Sequence, residues 1–158
     1  VPTAEGAIAA AMAATEVTLC GTPCLVVGFG RIGKLLAHRL RGLGAEVAVS
    51  ARRLDDLAWI DAFGYRGLHT NRLAGKLGDF RVVFNTVPHT VLSEDLLREL
   101  PQDCVLIELA SQPGFDRAAA EALGLKCISA LGLPGKAAPE TAARAIWTTL
   151  KKIWEEEA

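Results

Sequence analysis

Apolar residues along this chain follow two alternating patterns. Short strand-like runs occupy 24–27, 45–50, 65–69, 81–85, 104–109 and 125–129, and several are apolar without a break. Unbroken apolar runs of that length suit strands buried on both faces. Between them lie segments of helical spacing. After Gly30, residues Ile32, Leu35, Leu36, Leu40 and Leu43 recur on one face. Further helices are predicted at 54–63, closed by Gly64, at 71–78, broken by Gly75 and Gly78, and at 93–100, 116–123 and 138–155. Ahead of the first strand, Pro2, a capping Thr3 and Glu5 in the first turn open one more helix. Residues 4–16 of that helix hold seven alanines, with Ile8, Met12 and Val17 near one face.

Strict β–α alternation predicts one α/β domain over residues 1–158, built on a doubly wound parallel sheet covered on both faces. Right-handed crossovers and a glycine-rich first turn select the Rossmann arrangement. Six strands are expected in the order 3-2-1-4-5-6, with an extra N-terminal helix and a long C-terminal helix. The small-residue surface of the N-terminal helix suits close packing on another helix or another domain. Trp147 and Trp154, seven residues apart, lie near one face of the last helix, a spacing that fits core packing or a docking surface.

The chemistry begins in Cys24-Leu-Val-Val-Gly28-Phe29-Gly30-Arg31-Ile32-Gly33-Lys34, where a strand runs into G-x-G-x-x-G and a helix follows at once. In that context the spacing is a dinucleotide fingerprint. Gly28 allows the bend off the strand, Gly30 lets backbone approach a pyrophosphate, and Gly33 lets the helix pack on the strand. The helix then aims free N–H groups and its positive dipole end at the phosphates. Gly28, Phe29, Gly30, Arg31, Ile32 and Gly33 are therefore the candidate cofactor-binding turn.

The second strand decides which dinucleotide. NAD sites carry an acid there, about 20 residues past the glycines, for the ribose hydroxyls. This strand ends Ser50-Ala51-Arg52-Arg53. An arginine fork grips a 2′-phosphate that a carboxylate would repel, and Ser50 is placed to add a hydroxyl bond. NADP is favoured over NAD. The bland reading pairs Arg52 and Arg53 with Asp55 or Asp56 as surface charges, but a helix N-terminus disfavours arginine on dipole grounds.

Bulk properties narrow the class further. Apolar residues make up 51% of the chain and the net charge is −1. Mixed charge offers no long patch for nucleic acid or an anionic membrane, and no run reaches the length of a membrane span. Cys20, Cys24, Cys104 and Cys127 have no metal-ligand spacing, and His38, His69 and His89 are scattered. Reduced, mostly buried thiols in a cytoplasmic protein are expected, with no metal site. Glu155 to Glu157 reads as a solvated tail. Val1 in place of Met points to processing or, by preference, to a piece of a longer chain.

Several segments resemble one family. Val1-Pro-Thr-Ala-Glu-Gly-Ala, Gly28-Phe-Gly-Arg-Ile-Gly, Ser50-Ala-Arg, Asn85-Thr-Val-Pro, Glu108-Leu-Ala-Ser-Gln-Pro-Gly and Leu131-Gly-Leu-Pro-Gly-Lys-Ala-Ala-Pro-Glu-Thr-Ala together look like the nucleotide-binding half of the dipicolinate synthase A-subunit family. The resemblance implies an N-terminal substrate domain absent from this chain. It also implies that the partner is a flavoprotein-like dipicolinate synthase B-subunit. The reaction implied is NADP-dependent oxidation of dihydrodipicolinate, a dihydropyridine dicarboxylate, during sporulation. The wider relatives, two-domain 2-hydroxyacid dehydrogenases, place an Asn/Thr/Pro turn beside the nicotinamide ribose. Asn85, Thr86, Val87 and Pro88 match that turn. After the fifth strand those relatives carry a catalytic arginine, where this sequence has Ser111-Gln112-Pro113. Ser111 is taken as a cofactor contact, and no catalytic residue carries over. His89, beside the turn, is a candidate proton donor or an ordinary loop histidine.

Two other functions stay open on the sequence. One is the nucleotide domain of a 2-hydroxyacid or amino-acid dehydrogenase. The other is a non-catalytic NAD(P)-sensing module. A homodimer is left open as well.

Overall fold

The computed structural model describes residues 1–130, 132, 135 and 137–156. The chain begins with α1 (Pro2–Ala14), β1 (Pro23–Val27), α2 (Arg31–Gly42), β2 (Glu46–Ala51), α3 (Leu54–Ala62) and β3 (Arg66–His69). It continues with β4 (Val82–Asn85), α4 (Glu94–Leu97), β5 (Val105–Glu108), α5 (Arg117–Ala122), β6 (Lys126–Ser129) and α6 (Pro139–Glu156). The six strands form one parallel sheet in the order β3-β2-β1-β4-β5-β6, the expected Rossmann order. All of β4 and β5, and β1 from Cys24 onward, are buried, which is why these strands read as apolar runs without alternation.

Each face of the sheet has its own core. One holds Val26, Val49 and Phe84 under α1, α2 and Ile60 of α3. The other holds Leu25, Val83 and Leu106 under Leu73, Leu77, Leu97 and Ala120. The alanines of α1 have a structural use. Ala4, Ala7 and Ala11 are buried where α1 lies on α2 and β5, so the small-residue face packs within this domain.

Several expectations are corrected. α1 starts at Pro2 with Val1 at the cap and no side-chain capping bond, so Thr3 lies inside the helix. Proline suits the first turn because its missing N–H has no intrahelical partner there. Met12 and Val17 are exposed, as is Leu43 just past the end of α2. The predicted helix 71–78 is a single 3-10 turn, Thr70–Arg72, followed by irregular chain. Leu73 and Leu77 imitate helical spacing because both insert into the second core, while Gly75 between them has φ +74°. The helix expected at 93–100 is one turn, Glu94–Leu97, and Pro101 limits it by restricting Leu100 ahead of it. Residues 131, 133, 134 and 136 of the family-like segment that begins at Leu131 lie outside the described residues, as does Glu157 of the acidic tail.

Two thiols illustrate how dry the sheet is. Burial pushes both Cys24 and Cys104 up to about 12, whereas Cys20 is exposed. Burial also pushes half-buried Cys127 up.

α6 stands apart from both cores. None of its residues is buried, although Ile146, Trp147, Leu150, Ile153 and Trp154 fall on one helical face. Trp147 and Trp154 meet edge to face with ring centroids 6.4 Å apart. Core packing within this domain is thereby removed as an account of the two tryptophans.

Candidate dinucleotide site

Strand order reverses between β1 and β4, and a parallel sheet opens a crevice there at the carboxyl ends of its strands. A cleft of about 630 Å³ occupies that place. Three stretches far apart in sequence line it: Gly28 to Ile32, Ala51 to Arg53, and Thr86 to Pro88. Asp56, Thr70 and His89 complete its wall.

The three motif glycines do different physical jobs. Gly28 has φ +99°, and a Cβ on it would lie 2.6 Å from Thr86 Oγ1 and 2.7 Å from Val87 Cγ2. Thr86 in turn donates through its hydroxyl and its N–H to the Val27 carbonyl, at 2.8 and 3.0 Å. The β1 and β4 turns therefore touch at Gly28, with no room for a side chain. A Cβ on Gly33 would sit 2.1 Å from the Gly28 oxygen, so α2 leans directly on the turn. Gly30 differs, because a Cβ there would meet nothing within 4 Å. Gly30 also caps α2 without any side-chain bond. The first N–H groups of a twelve-residue helix thus open onto a bare backbone cradle, the arrangement that receives a pyrophosphate. The residues present fit a dinucleotide.

Phe29 keeps the turn in place. Its ring is buried, tilted against Phe63 at 6.3 Å, with Lys34 Nζ 5.0 Å from its centroid.

Three cations face the cleft: Arg31, Arg52 and Arg53. Arg53 donates to both Asp55 carboxylate oxygens, with Nε 3.0 Å from Oδ1 and Nη2 on Oδ2. The Arg53 hydrogen bond holds the Asp55 carboxyl below its usual range. Among the described residues Arg52 has no ion-pair partner, so its guanidinium is the freer of the two.

Four predicted contacts, Gly33, Ser50, Asn85 and Ser111, do not line the cleft. Ser50 is fully buried between Val27 and Leu68 in the sheet register, and its hydroxyl has no partner among the described residues. Successive side chains on a strand point to opposite faces, so Ala51 reaches the cleft and Ser50 does not. Ser50 serves through its backbone instead, its carbonyl accepting from the Gly28 N–H at 3.0 Å. Ser111 lines a separate cavity of about 80 Å³ with Glu108, Arg117 and Ser129. Asn85 is buried beneath its turn, where its Nδ2 donates to the Val87 carbonyl at 2.8 Å and its Oδ1 accepts from the Val87 N–H.

Sequence motifs do not single out Thr70 or Asp56 as lining residues. Thr70 follows the end of β3, and the carboxyl-end rule for parallel sheets marks that position. His89 sits at the rim, between the cleft and an adjoining cavity of about 400 Å³ that Arg52 and Thr70 share.

Comparison with known proteins agrees with this geometry. The chain belongs to the D-isomer specific 2-hydroxyacid dehydrogenase, NAD binding domain family, which matches residues 3–133. The class this defines is a nicotinamide-nucleotide-binding domain of the dehydrogenase type. Within that class the chain is 36% identical to the dipicolinate synthase A-subunit of Bacillus subtilis (strain 168) over 157 residues, 99% of this chain and 53% of the relative. The solved dipicolinate synthase A-subunit of Bacillus halodurans superposes with a TM-score of 0.94 at 40% identity, covering 97% of this chain and 53% of that one. Shikimate 5-dehydrogenase of Thermus thermophilus, solved with NADP(H) and shikimate, gives a TM-score of 0.63 at 28% identity, covering 84% of this chain and 51% of that one. The chain spans about half the length of the curated relative it matches.

Proposed function

We propose that this chain is the NADP-binding domain of a dipicolinate-forming dehydrogenase. One observation carries the cofactor choice: an open glycine cradle faces the residues just past β2, where Arg52 and Arg53 follow Ala51 directly. On this reading Arg52 and Arg53 bind the 2′-phosphate, the Gly30 turn and the α2 N-terminus bind the pyrophosphate, and Thr86 to Pro88 flank the nicotinamide ribose. The 28%-identical shikimate 5-dehydrogenase with its NADP(H) supports the preference. Ser111 stays outside this contact set.

When bound, oxidised NADP would accept a hydride from dihydrodipicolinate, which also releases a proton to solvent as its ring becomes aromatic. The chain's own residues hold the cofactor and leave its reactive end toward an N-terminal substrate domain, with a flavoprotein-like B-subunit completing a cytoplasmic complex. We assign the apolar stripe on α6 to contact with that N-terminal domain. A simple 2-hydroxyacid dehydrogenase is disfavoured, because Ser111-Gln112-Pro113 supplies no arginine after β5.

Turnover assays test the assignment. The chain alone binds NADP and does not oxidise dihydrodipicolinate, whereas joining it to the N-terminal domain and the flavoprotein-like partner yields oxidation. Oxidation by the isolated chain, or none in the assembled complex, contradicts it.

A further inference from the structure

Glu108 ends β5 and is only 7% exposed. A buried carboxylate is costly unless donors satisfy it. Three do so here. Oε1 accepts from Asn85 Nδ2 at 2.7 Å and from the Ala110 N–H at 2.9 Å, and Oε2 accepts from the Gly114 N–H at 2.7 Å. Asn85 passes the constraint on, since its amide also holds both backbone groups of Val87 in the cleft wall. Gly114 is pressed so closely onto Asn85 that a Cβ there would lie 1.9 Å from Nδ2. A second set of bonds closes the loop: the Val91 and Leu92 N–H groups donate to the Gly114 carbonyl, and the Asp116 N–H donates to the Leu92 carbonyl.

The turn after β4 and the loop after β5 are therefore one body with Glu108 at its centre. With the 2′-phosphate on the β2 side and the pyrophosphate over β1, the rest of a dinucleotide extends over β4, against this body. We propose that Glu108 is a positioning residue for the nicotinamide half of the cofactor, acting through Asn85 on the 86–88 wall. A hydrophobic residue would fill the same volume without the desolvation cost. What the carboxylate adds is a fixed direction for three donors on two loops.

This inference rests on the dinucleotide reading, and two probes separate the failures. NADP and 2′,5′-ADP, which lacks the nicotinamide half, are titrated calorimetrically into the unmodified chain, Glu108→Gln and Asn85→Asp. Each variant keeps its side-chain size. Glu108→Gln puts an amide NH2 donor in place of one carboxylate oxygen, so one of the three donors loses its acceptor. Asn85→Asp replaces the Nδ2 donor to Glu108 by an acceptor. The expected result is a loss of about tenfold in NADP affinity, the scale of one charge-assisted bond, with 2′,5′-ADP affinity within about twofold of the unmodified chain. Equal losses for both probes, no loss for NADP, or unfolding of both variants overturns the proposal; if only one variant folds, it decides. An unmodified chain that binds neither probe removes the dinucleotide reading itself, and the proposal with it.

Discussion

Gly33 rests on the carbonyl of Gly28 so closely that a Cβ would lie 2.1 Å from its oxygen. The obstacle is backbone, which has no rotamer to yield, so α2 must tilt or shift to accept even a methyl group. Gly33→Ala is expected to destabilise the chain by about 1–3 kcal/mol, the usual cost of overpacking. Urea unfolding followed by circular dichroism reads this directly, and an unchanged midpoint would show that the helix does not lean on the turn.

Gly30 gives the opposite expectation. It has an ordinary extended backbone, φ −78°, and space above it. Gly30→Val should leave the urea midpoint nearly unchanged while its branched side chain fills the pyrophosphate position. Fluorescence titration should then detect no NADP binding. Normal binding by this variant would assign the glycine to chain packing.

Buried thiols give the fold a pH dependence on the alkaline side. Burial pushes the thiols of Cys24 and Cys104 from an ordinary value of 9.0 up to about 12. Between those limits the unfolded chain has lost protons that the folded chain keeps, so stability falls as pH rises through that window. Well below pH 9 both states keep these protons and the two thiols contribute almost no slope. The decline is about 1.4 kcal/mol per pH unit for each thiol. Unfolding midpoints at about pH 8 and pH 10.5, either side of the ordinary thiol value, should therefore differ more for the unmodified chain than for the Cys24→Ala, Cys104→Ala variant. Equal slopes would contradict the account.

The topology was legible because burial on both faces leaves a mark. Strands such as Cys24 to Val27 and Val105 to Ile107 carry apolar residues at consecutive positions, which few other elements do. The glycine spacing located the cleft, and the ends of β1, β2 and β4 supplied most of its lining. What the sequence hid depended on single-residue geometry or long separation. Ser50 and Ala51 are neighbours on opposite faces, and only the register shows which one reaches the cleft. Leu73 and Leu77 have helical spacing without a helix. Asn85 and Glu108 lie 23 positions apart, and nothing in an apolar run ending in an acid announces the bond between them.

Parallel calorimetric titrations of the unmodified chain with NADP and NAD test the central claim, that this cleft is built for a 2′-phosphate. NADP should bind more tightly, by about tenfold or more if one free guanidinium contributes about 1.5–3 kcal/mol. Arg52→Ala should remove most of that preference, and Arg53→Ala less, since Asp55 already engages Arg53. Equal affinities for NADP and NAD in the unmodified chain, or tighter binding of NAD, would contradict the account.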